Sequence, residues 1–199
     1  MKKLKQISIF ILLGYVAMYS TIWLHELGHA TVYHHFGCKE NVLDVTVPFH
    51  FGNANPYPID WEVAKSLTLK QDFYVSIAGV VVNIVLGLLS WLMLFNFGKK
   101  MRSNWLGFFV TSFAVAHFAE ACSYLTLSNV YATSDMIGVQ AYDSAVQIPL
   151  FLVGLILVYI LIFLIKNAPL EWRRGLTMYA LISILMMSGL RFYFTYLNV

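Results

Sequence analysis

The sequence predicts an all-α, polytopic membrane protein with about five transmembrane helices. Of its 199 residues, 59% are hydrophobic and only 12% are charged, whereas a soluble domain carries about 25% charged residues. The apolar residues form long runs, and a segment inside lipid must satisfy its backbone hydrogen bonds internally, which favours helices. The small net charge of +3 comes from clusters beside these runs and indicates no nucleic-acid partner. We therefore expect a multi-pass integral membrane protein whose partner is the lipid bilayer.

Five apolar runs follow one another along the chain. Each is about 20 residues or longer, the length that a helix needs to cross the hydrocarbon core of a bilayer. No internal repeat or low-complexity linker separates them, which indicates a single domain over residues 1–199. The predicted spans are Ile7 to about Tyr33, Phe73 to Phe97, about Asn104 to Leu127, Ala145 to Ile165, and about Gly175 to Tyr196.

The basic residues are distributed unequally between the two sides of these spans. Loops that retain more lysine and arginine usually face the cytoplasm, so the richer side predicts a cytoplasmic N-terminus. Nine basic residues lie on that side: Lys2, Lys3, Lys5, Lys99, Lys100, Arg102, Lys166, Arg173 and Arg174. Four lie on the other: Lys39, Lys65, Lys70 and Arg191.

The first span ends in an H-E-x-x-H motif, His25-Glu26-Leu27-Gly28-His29. On a helix, residues four apart lie one turn apart on the same face, so both imidazoles can reach one zinc ion. The glutamate between them can accept a proton from a reacting water. Ionisable groups inside a membrane segment indicate function by default. The motif therefore predicts His25 and His29 as metal ligands and Glu26 as the general base.

A third metal ligand is expected, because a catalytic zinc site usually has three protein ligands and one open position. His25 lies about 27 Å along the first span, near its far end. The third span returns to the same membrane face, and Asp135 closely follows its end. Glu120 lies about 22 Å along that span and reaches a comparable depth. Both carboxylates are candidate ligands.

The long loop between the first two spans contains the only strand pattern in the sequence. From Val45 to Phe51 it reads V-T-V-P-F-H-F, with apolar residues at alternate positions, and turn-forming residues follow. This pattern predicts a short β-hairpin-like segment. Its exposed edge could pair with an extended peptide, so Val45, Val47 and Phe49 are candidate substrate-binding residues. The alternative is an ordinary loop outside the membrane.

His117 and Glu120 interrupt the third span. Three residues apart on a helix, they share one face. The simpler interpretation is a polar pair whose members satisfy each other inside the helix bundle. The functional alternative is that one of them orients a metal-ligating histidine from outside the ligand set.

Three motifs in this order resemble those of the site-2 protease family of intramembrane zinc metalloproteases. The first is the H-E-x-x-H motif. Ala78-Gly79-Val80-Val81-Val82-Asn83 resembles the family's A-G-P-x-x-N, with Val80 in place of proline. Asn129 and Asp135 resemble its N-x-x-P…D-G motif, with a shorter spacing and no proline. The resemblance covers roughly residues 7–140, the expected catalytic core, and leaves additional helices at about 145–196.

The resemblance implies a zinc metalloendopeptidase with one Zn²⁺ per chain. Its substrate would be a membrane-spanning segment of another protein, which must unwind locally before attack. The family's β-hairpin, which dips toward the membrane, corresponds to the predicted strand. The implied site comprises Glu26 as general base and His25, His29 and Asp135 as ligands, with Asp135 favoured as the third ligand over Glu120 and then Asp143. Asn83 or Asn129 would be a hydrogen-bonding partner of the substrate backbone or oxyanion.

Two other classes remain open at this point. Membrane di-iron oxygenases and desaturases also place histidines beside membrane helices, but they need several clustered His-His boxes. This chain has six histidines, and only His34 and His35 are adjacent. The third class is a membrane protein that binds a metal without catalysing a reaction.

Overall fold

The computed structural model describes residues 2–101 and 105–197. Arg102, one of the basic residues counted above, and Asn104, the expected start of the third span, lie outside that part. Over the described ranges the chain forms eight α-helices: α1 (Lys2–His35), α2 (Trp61–Ala64), α3 (Leu69–Met101), α4 (Trp105–Ser123), α5 (Asn129–Tyr131), α6 (Asp135–Tyr142), α7 (Gln147–Asn167) and α8 (Leu170–Tyr196).

The predicted fold class is confirmed. Five helical stretches within the described ranges are long and apolar enough to cross a membrane, and each coincides with one of the five predicted spans. The third continues from α4 through a π-helical turn, Tyr124–Ser128, into α5. The chain is therefore an all-α, multi-pass membrane protein with apolar surface suited to lipid. The stretches are Ile7–His35, Leu69–Asn96, Trp105–Tyr131, Ser144–Asn167 and Leu170–Tyr196.

Helix α4 forms the centre of the bundle. In its most apolar window 78% of the residues are buried, compared with 22–28% in the other four spans. Helices α1, α3, α7 and α8 all pack against it. Ala114, Ala116 and Ala119 are fully buried, and such small side chains allow membrane helices to approach closely. Because α4 is shielded from lipid, it can carry the polar residues His117 and Glu120.

The predicted strand at Val45–Phe51 is wrong. The described part of the loop contains a single antiparallel bridge, in which Thr46 and Asn55 exchange backbone hydrogen bonds of 2.9 and 3.0 Å. The carbonyl oxygens of Val47 and Phe49 instead accept hydrogen bonds from tyrosine hydroxyls on α1, at 3.2 and 2.9 Å. Side chains of a helix thus replace a strand partner, and the loop runs back along α1.

The end of this loop packs between α1 and α8. Phe51, whose φ of +64° reverses the chain direction, lies in an apolar cluster with Met18 and Ile22 of α1 and Met187 of α8. Its ring is 5.3 Å from that of Tyr15. The loop thereby closes the space between the first and last membrane helices beside the histidine motif.

Candidate metal centre and adjoining pocket

The histidine motif lies where α1 and α3 approach each other closely at two glycines. A Cβ atom on Gly28 would stand 2.9 Å from Val82 Cγ2 and 3.0 Å from the carbonyl oxygen of Ala78. A Cβ atom on Gly79 would stand 2.5 Å from the His25 imidazole and 2.6 Å from Nε2 of His29. The glycines let the two helices meet, so the imidazoles lie directly against the α3 backbone.

Asp135 reaches the same place through an irregular connection. After α5, Ala132 and Ser134 both adopt positive φ, +48° and +52°, which costs free energy for residues other than glycine. Helix α8 braces this turn, because Thr195 Oγ1 accepts a hydrogen bond of 3.3 Å from the Ser134 N–H. Helix α6 then begins at Asp135, and the carboxylate faces the histidines of α1.

The three predicted ligands converge on one point. Nε2 of His25 and Nε2 of His29 are 3.0 Å apart, and Oδ2 of Asp135 lies 3.1 and 3.2 Å from them. Ligand atoms around a tetrahedral zinc, with bonds of about 2.0–2.2 Å, stand about 3.3–3.6 Å apart. The observed triangle is therefore close to the size that such an ion requires. Among the described residues, this is the group of side chains that could hold a metal.

The hydrogen bonds around His29 also suit a cation. A carbonyl oxygen can only accept, so the 2.7 Å contact with Val75 O requires a hydrogen on Nδ1 of His29. Nε2 of His29 then faces Oδ2 of Asp135 at 3.2 Å, a contact that is favourable when a proton or a metal cation lies between the two atoms. Burial raises the pKa of Asp135, but His29 and His25 together hold it well below its usual value, so the carboxylate is ionised.

The side chain of Asn83 supports His25 and does not line the pocket. Its amide is fully buried, with Nδ2 3.0 Å from His25 Nδ1 and Oδ1 2.9 Å from His117 Nδ1. A half-turn of the amide would let His25 Nδ1–H donate to Oδ1, which is how a metal-ligating histidine is usually oriented. The structure thus gives Asn83 a different contact from the predicted one with substrate.

The predicted pairing of His117 with Glu120 is wrong. His117 hydrogen-bonds Asn83, whereas Glu120 accepts a short hydrogen bond from Arg191 of α8. The geometry favours the alternative in which His117 helps to orient His25 through Asn83. Glu120, the alternative third ligand, is turned toward Arg191 and does not join the His25–His29–Asp135 group.

Arg191 and Tyr124 are pocket residues that the sequence analysis missed. The ring of Tyr124 stacks on His25 at 4.8 Å with an interplanar angle of 10°, and Arg191 Cζ lies 3.5 Å from its centroid. Arg191 is 6% exposed, although the count of basic residues treated it as a charge that flanks the membrane spans. An arginine inside a membrane span is itself a signal of function. Nothing in the local sequence distinguishes Tyr124 from other apolar residues of its span.

Asn129 lies within a buried hydrogen-bond network that connects neighbouring helices. Its side chain is fully buried, and its Nδ2 donates to the Leu125 and Gln147 carbonyl oxygens at 3.3 and 2.8 Å. Gln140 donates to its Oδ1 at 2.9 Å. These bonds join the end of the third span to α6 and α7, and Asn129 does not contribute to the pocket lining.

A cavity of about 330 Å³ adjoins the ligand cluster. Glu26, His29 and Asp135 line it together with Glu120 and Arg191, so the glutamate of the motif, two candidate ligands and the buried ion pair face one space. The loop contributes the last residue of the predicted strand and residues after it: Phe51, Asn53, Ala54, Pro56 and Tyr57. The candidate substrate-binding residues lie elsewhere: Val45 is half-buried, Val47 packs on the Phe51 cluster and Phe49 is 77% exposed.

The fold and the site together define a multi-pass helical membrane protein with a buried His-His-Asp cluster beside a polar pocket. Comparison with protein-family models, curated proteins and solved structures finds no match to this chain.

Proposed function

We propose that this protein is an intramembrane zinc metalloprotease similar to site-2 proteases, which hydrolyses peptide bonds in or near the membrane segments of other proteins. One observation carries the proposal. Two imidazole nitrogens and a carboxylate oxygen lie within 3.2 Å of one another, with the glutamate of an H-E-x-x-H motif lining the pocket beside them. This donor set, with a neighbouring base, is suited to metal-assisted hydrolysis.

His25, His29 and Asp135 would hold zinc, which supplies Lewis acidity to the reacting carbonyl and water. Glu26 is 8% exposed and faces the same cavity as His29 and Asp135. Its carboxylate accepts a proton from the attacking water and passes it to the departing amine. Asn83 keeps His25 oriented, and the glycine contacts between α1 and α3 keep both imidazoles in place.

The di-iron oxygenase alternative lacks support from the other histidines. His34 Nδ1 is 2.7 Å from the carbonyl oxygen of Lys39, and His35 packs against Phe36 at 5.2 Å. Neither joins the ligand group that the described residues form. A non-catalytic metal protein would share the ligand cluster and differ in showing no hydrolysis.

Metal content and peptide cleavage test the proposal together. Protein purified in detergent and returned to lipid vesicles should contain about one zinc per chain and should cleave a labelled transmembrane peptide. His29→Ala should lose both properties, whereas His34→Ala, outside the cluster, should keep both. Elemental analysis by mass spectrometry and electrophoresis of the peptide give the two readouts. Two irons per chain would indicate the oxygenase, and zinc without cleavage of any membrane peptide would indicate a binding protein.

Gly79→Ala should weaken zinc binding by about 10- to 100-fold, a loss typical when the surroundings of a metal ligand are disturbed. The added methyl group would stand 2.5 Å from His25 and 2.6 Å from His29, so both rings must move. The matched control is Gly189→Ala, because a Cβ at Gly189 meets nothing within 4 Å. Zinc affinity is measured by competition with a chelating dye. Equal affinities for the two variants would contradict the tight contact at Gly79.

The proposed orientation places the N-terminus in the cytoplasm and the pocket toward the opposite side. Arg191 is buried against Glu120 and so does not contribute to a flanking loop. When Arg191 is left out of the count, nine basic residues lie on one side and three on the other, which strengthens the positive-inside argument. The pocket-forming loop then lies on the non-cytoplasmic side.

Labelling of introduced cysteines tests this orientation. Both native cysteines, which are buried, are replaced so that only an introduced cysteine can react. The reporter is Glu62→Cys, at a position where the native side chain is 89% exposed. An impermeant maleimide should label it in intact cells. Arg174→Cys, at an exposed position between the last two spans, should react only after permeabilisation. The opposite labelling pattern would reverse the orientation.

A further inference from the structure

One residue that lines the pocket carries a buried acceptor atom without a partner. Glu120 is 2% exposed, and its Oε1 accepts a hydrogen bond from Arg191. Its Oε2 is buried and has no hydrogen-bond partner among the described residues. Glu120 lines the cavity together with Glu26 and Asp135. A buried carboxylate oxygen without a donor is unfavourable, so this oxygen is suited to a ligand that brings one.

The ion pair is held rigidly. Arg191 also donates to Ser123 Oγ, and its guanidinium lies 3.5 Å from the Tyr124 ring centroid. Ser123 Oγ in turn donates to the backbone oxygen of Glu120 at 2.9 Å. The carboxylate therefore has little freedom to turn toward another donor of the protein, and its second oxygen stays unpaired in a residue that lines the cavity.

The charge of the pair limits the chemistry of the ligand. Glu120 and Arg191 together are neutral, so the pair offers little attraction to an ammonium group and suits an uncharged N–H donor. A peptide that has unwound inside a membrane has such donors, since its backbone N–H groups have lost their helical partners and no water replaces them. Substrate of this kind is what the proposed hydrolysis requires.

We propose that the Glu120–Arg191 pair is a peptide-backbone subsite, in which Glu120 Oε2 accepts a hydrogen bond from one backbone N–H of the unwound substrate. This inference rests on the proposed protease function and adds to it a substrate contact at the ion pair between α4 and α8. It explains why a buried ion pair lies beside the hydrolytic groups, where an apolar contact would otherwise pack as well.

A peptide series with single ester bonds tests the subsite. Replacing one amide by an ester removes one N–H and leaves the chain length unchanged. Esters are placed on either side of the cleaved bond, never at it. In the wild-type protein we expect one position at which the ester lowers kcat/KM by about 10- to 100-fold, the effect of a lost hydrogen bond to a charged group.

The same peptides are then tested on two variants. Glu120→Gln keeps the shape but can present an amide N–H to the cavity instead of an acceptor. The double variant Glu120→Leu/Arg191→Met removes both charges, which leaves no buried charge without a partner. In each, the position-specific ester effect should shrink to within about twofold. The control is Glu62→Ala/Lys65→Ala, which removes an exposed ion pair and should keep the full effect.

Comparing variants on identical peptides separates the possible outcomes. An ester also weakens the substrate's own helix, but that contribution is the same for every variant and cancels. An ester effect that persists in Glu120→Gln, or the absence of any position-specific effect in an active wild-type protein, would overturn the subsite. A wild-type protein that cleaves no peptide would instead refute the proposed function.

Discussion

Replacing Glu26 with glutamine should leave zinc bound and lower the rate of cleavage by about 10²- to 10⁴-fold, the usual contribution of a general base. The reason is geometric. The atoms that converge within 3.2 Å come from His25, His29 and Asp135, and Glu26 is not one of them. Glutamine has nearly the same shape as glutamate but cannot accept the proton of the attacking water.

Single-turnover cleavage of a labelled peptide and the zinc content of the same sample measure the two halves of this prediction. Glu62→Gln is the matched control, because that side chain is 89% exposed and pairs only with Lys65 at the surface. The control should retain both wild-type zinc content and wild-type rate. Cleavage by Glu26→Gln within tenfold of the wild-type rate would remove Glu26 from the role of base.

Asp135→Ala should weaken zinc binding by about 100-fold or more, at least the loss seen when groups that support metal ligands are removed. Its Oδ2 is the atom that completes the cluster, at 3.1 and 3.2 Å from the two Nε2 atoms. Cleavage should be lost with the metal. Glu120→Gln, by contrast, should keep its zinc, because Glu120 is bound to Arg191 and does not belong to the ligand group.

Chelator competition provides the affinities, and Asp143→Asn provides a control in the same region. Asp143 is exposed, and its Oδ1 accepts a hydrogen bond of 2.8 Å from the Ala145 N–H. Asparagine retains that acceptor, so this variant should bind zinc like the wild type. Loss of zinc from Glu120→Gln together with its retention in Asp135→Ala would transfer the third-ligand role to Glu120.

Features that depend on local sequence or on the lipid environment could be predicted from the sequence alone. Long apolar runs have one stable form in lipid, because only a helix satisfies every backbone group within the segment. The five spans were therefore predictable from composition and length. The pairing of His25 with His29 was predictable for a similar reason: residues four apart on a helix share a face, whatever else surrounds them.

Features that join distant parts of the chain were decided only by the tertiary structure. Asp135 and Glu120 were both at a plausible depth, and the turn at Ser134, braced by Thr195 of α8, brings Asp135 to the two histidines. Arg191 was interpreted from the sequence as a charge that flanks the spans, but the packing of α8 against α4 places it beside Glu120. The alternating pattern at Val45–Phe51 suited a strand, but two tyrosine hydroxyls of α1 donate hydrogen bonds to its carbonyl oxygens instead. Each outcome depends on which partner the fold places nearby, and a partner 28 to 110 residues away leaves no local pattern in the sequence.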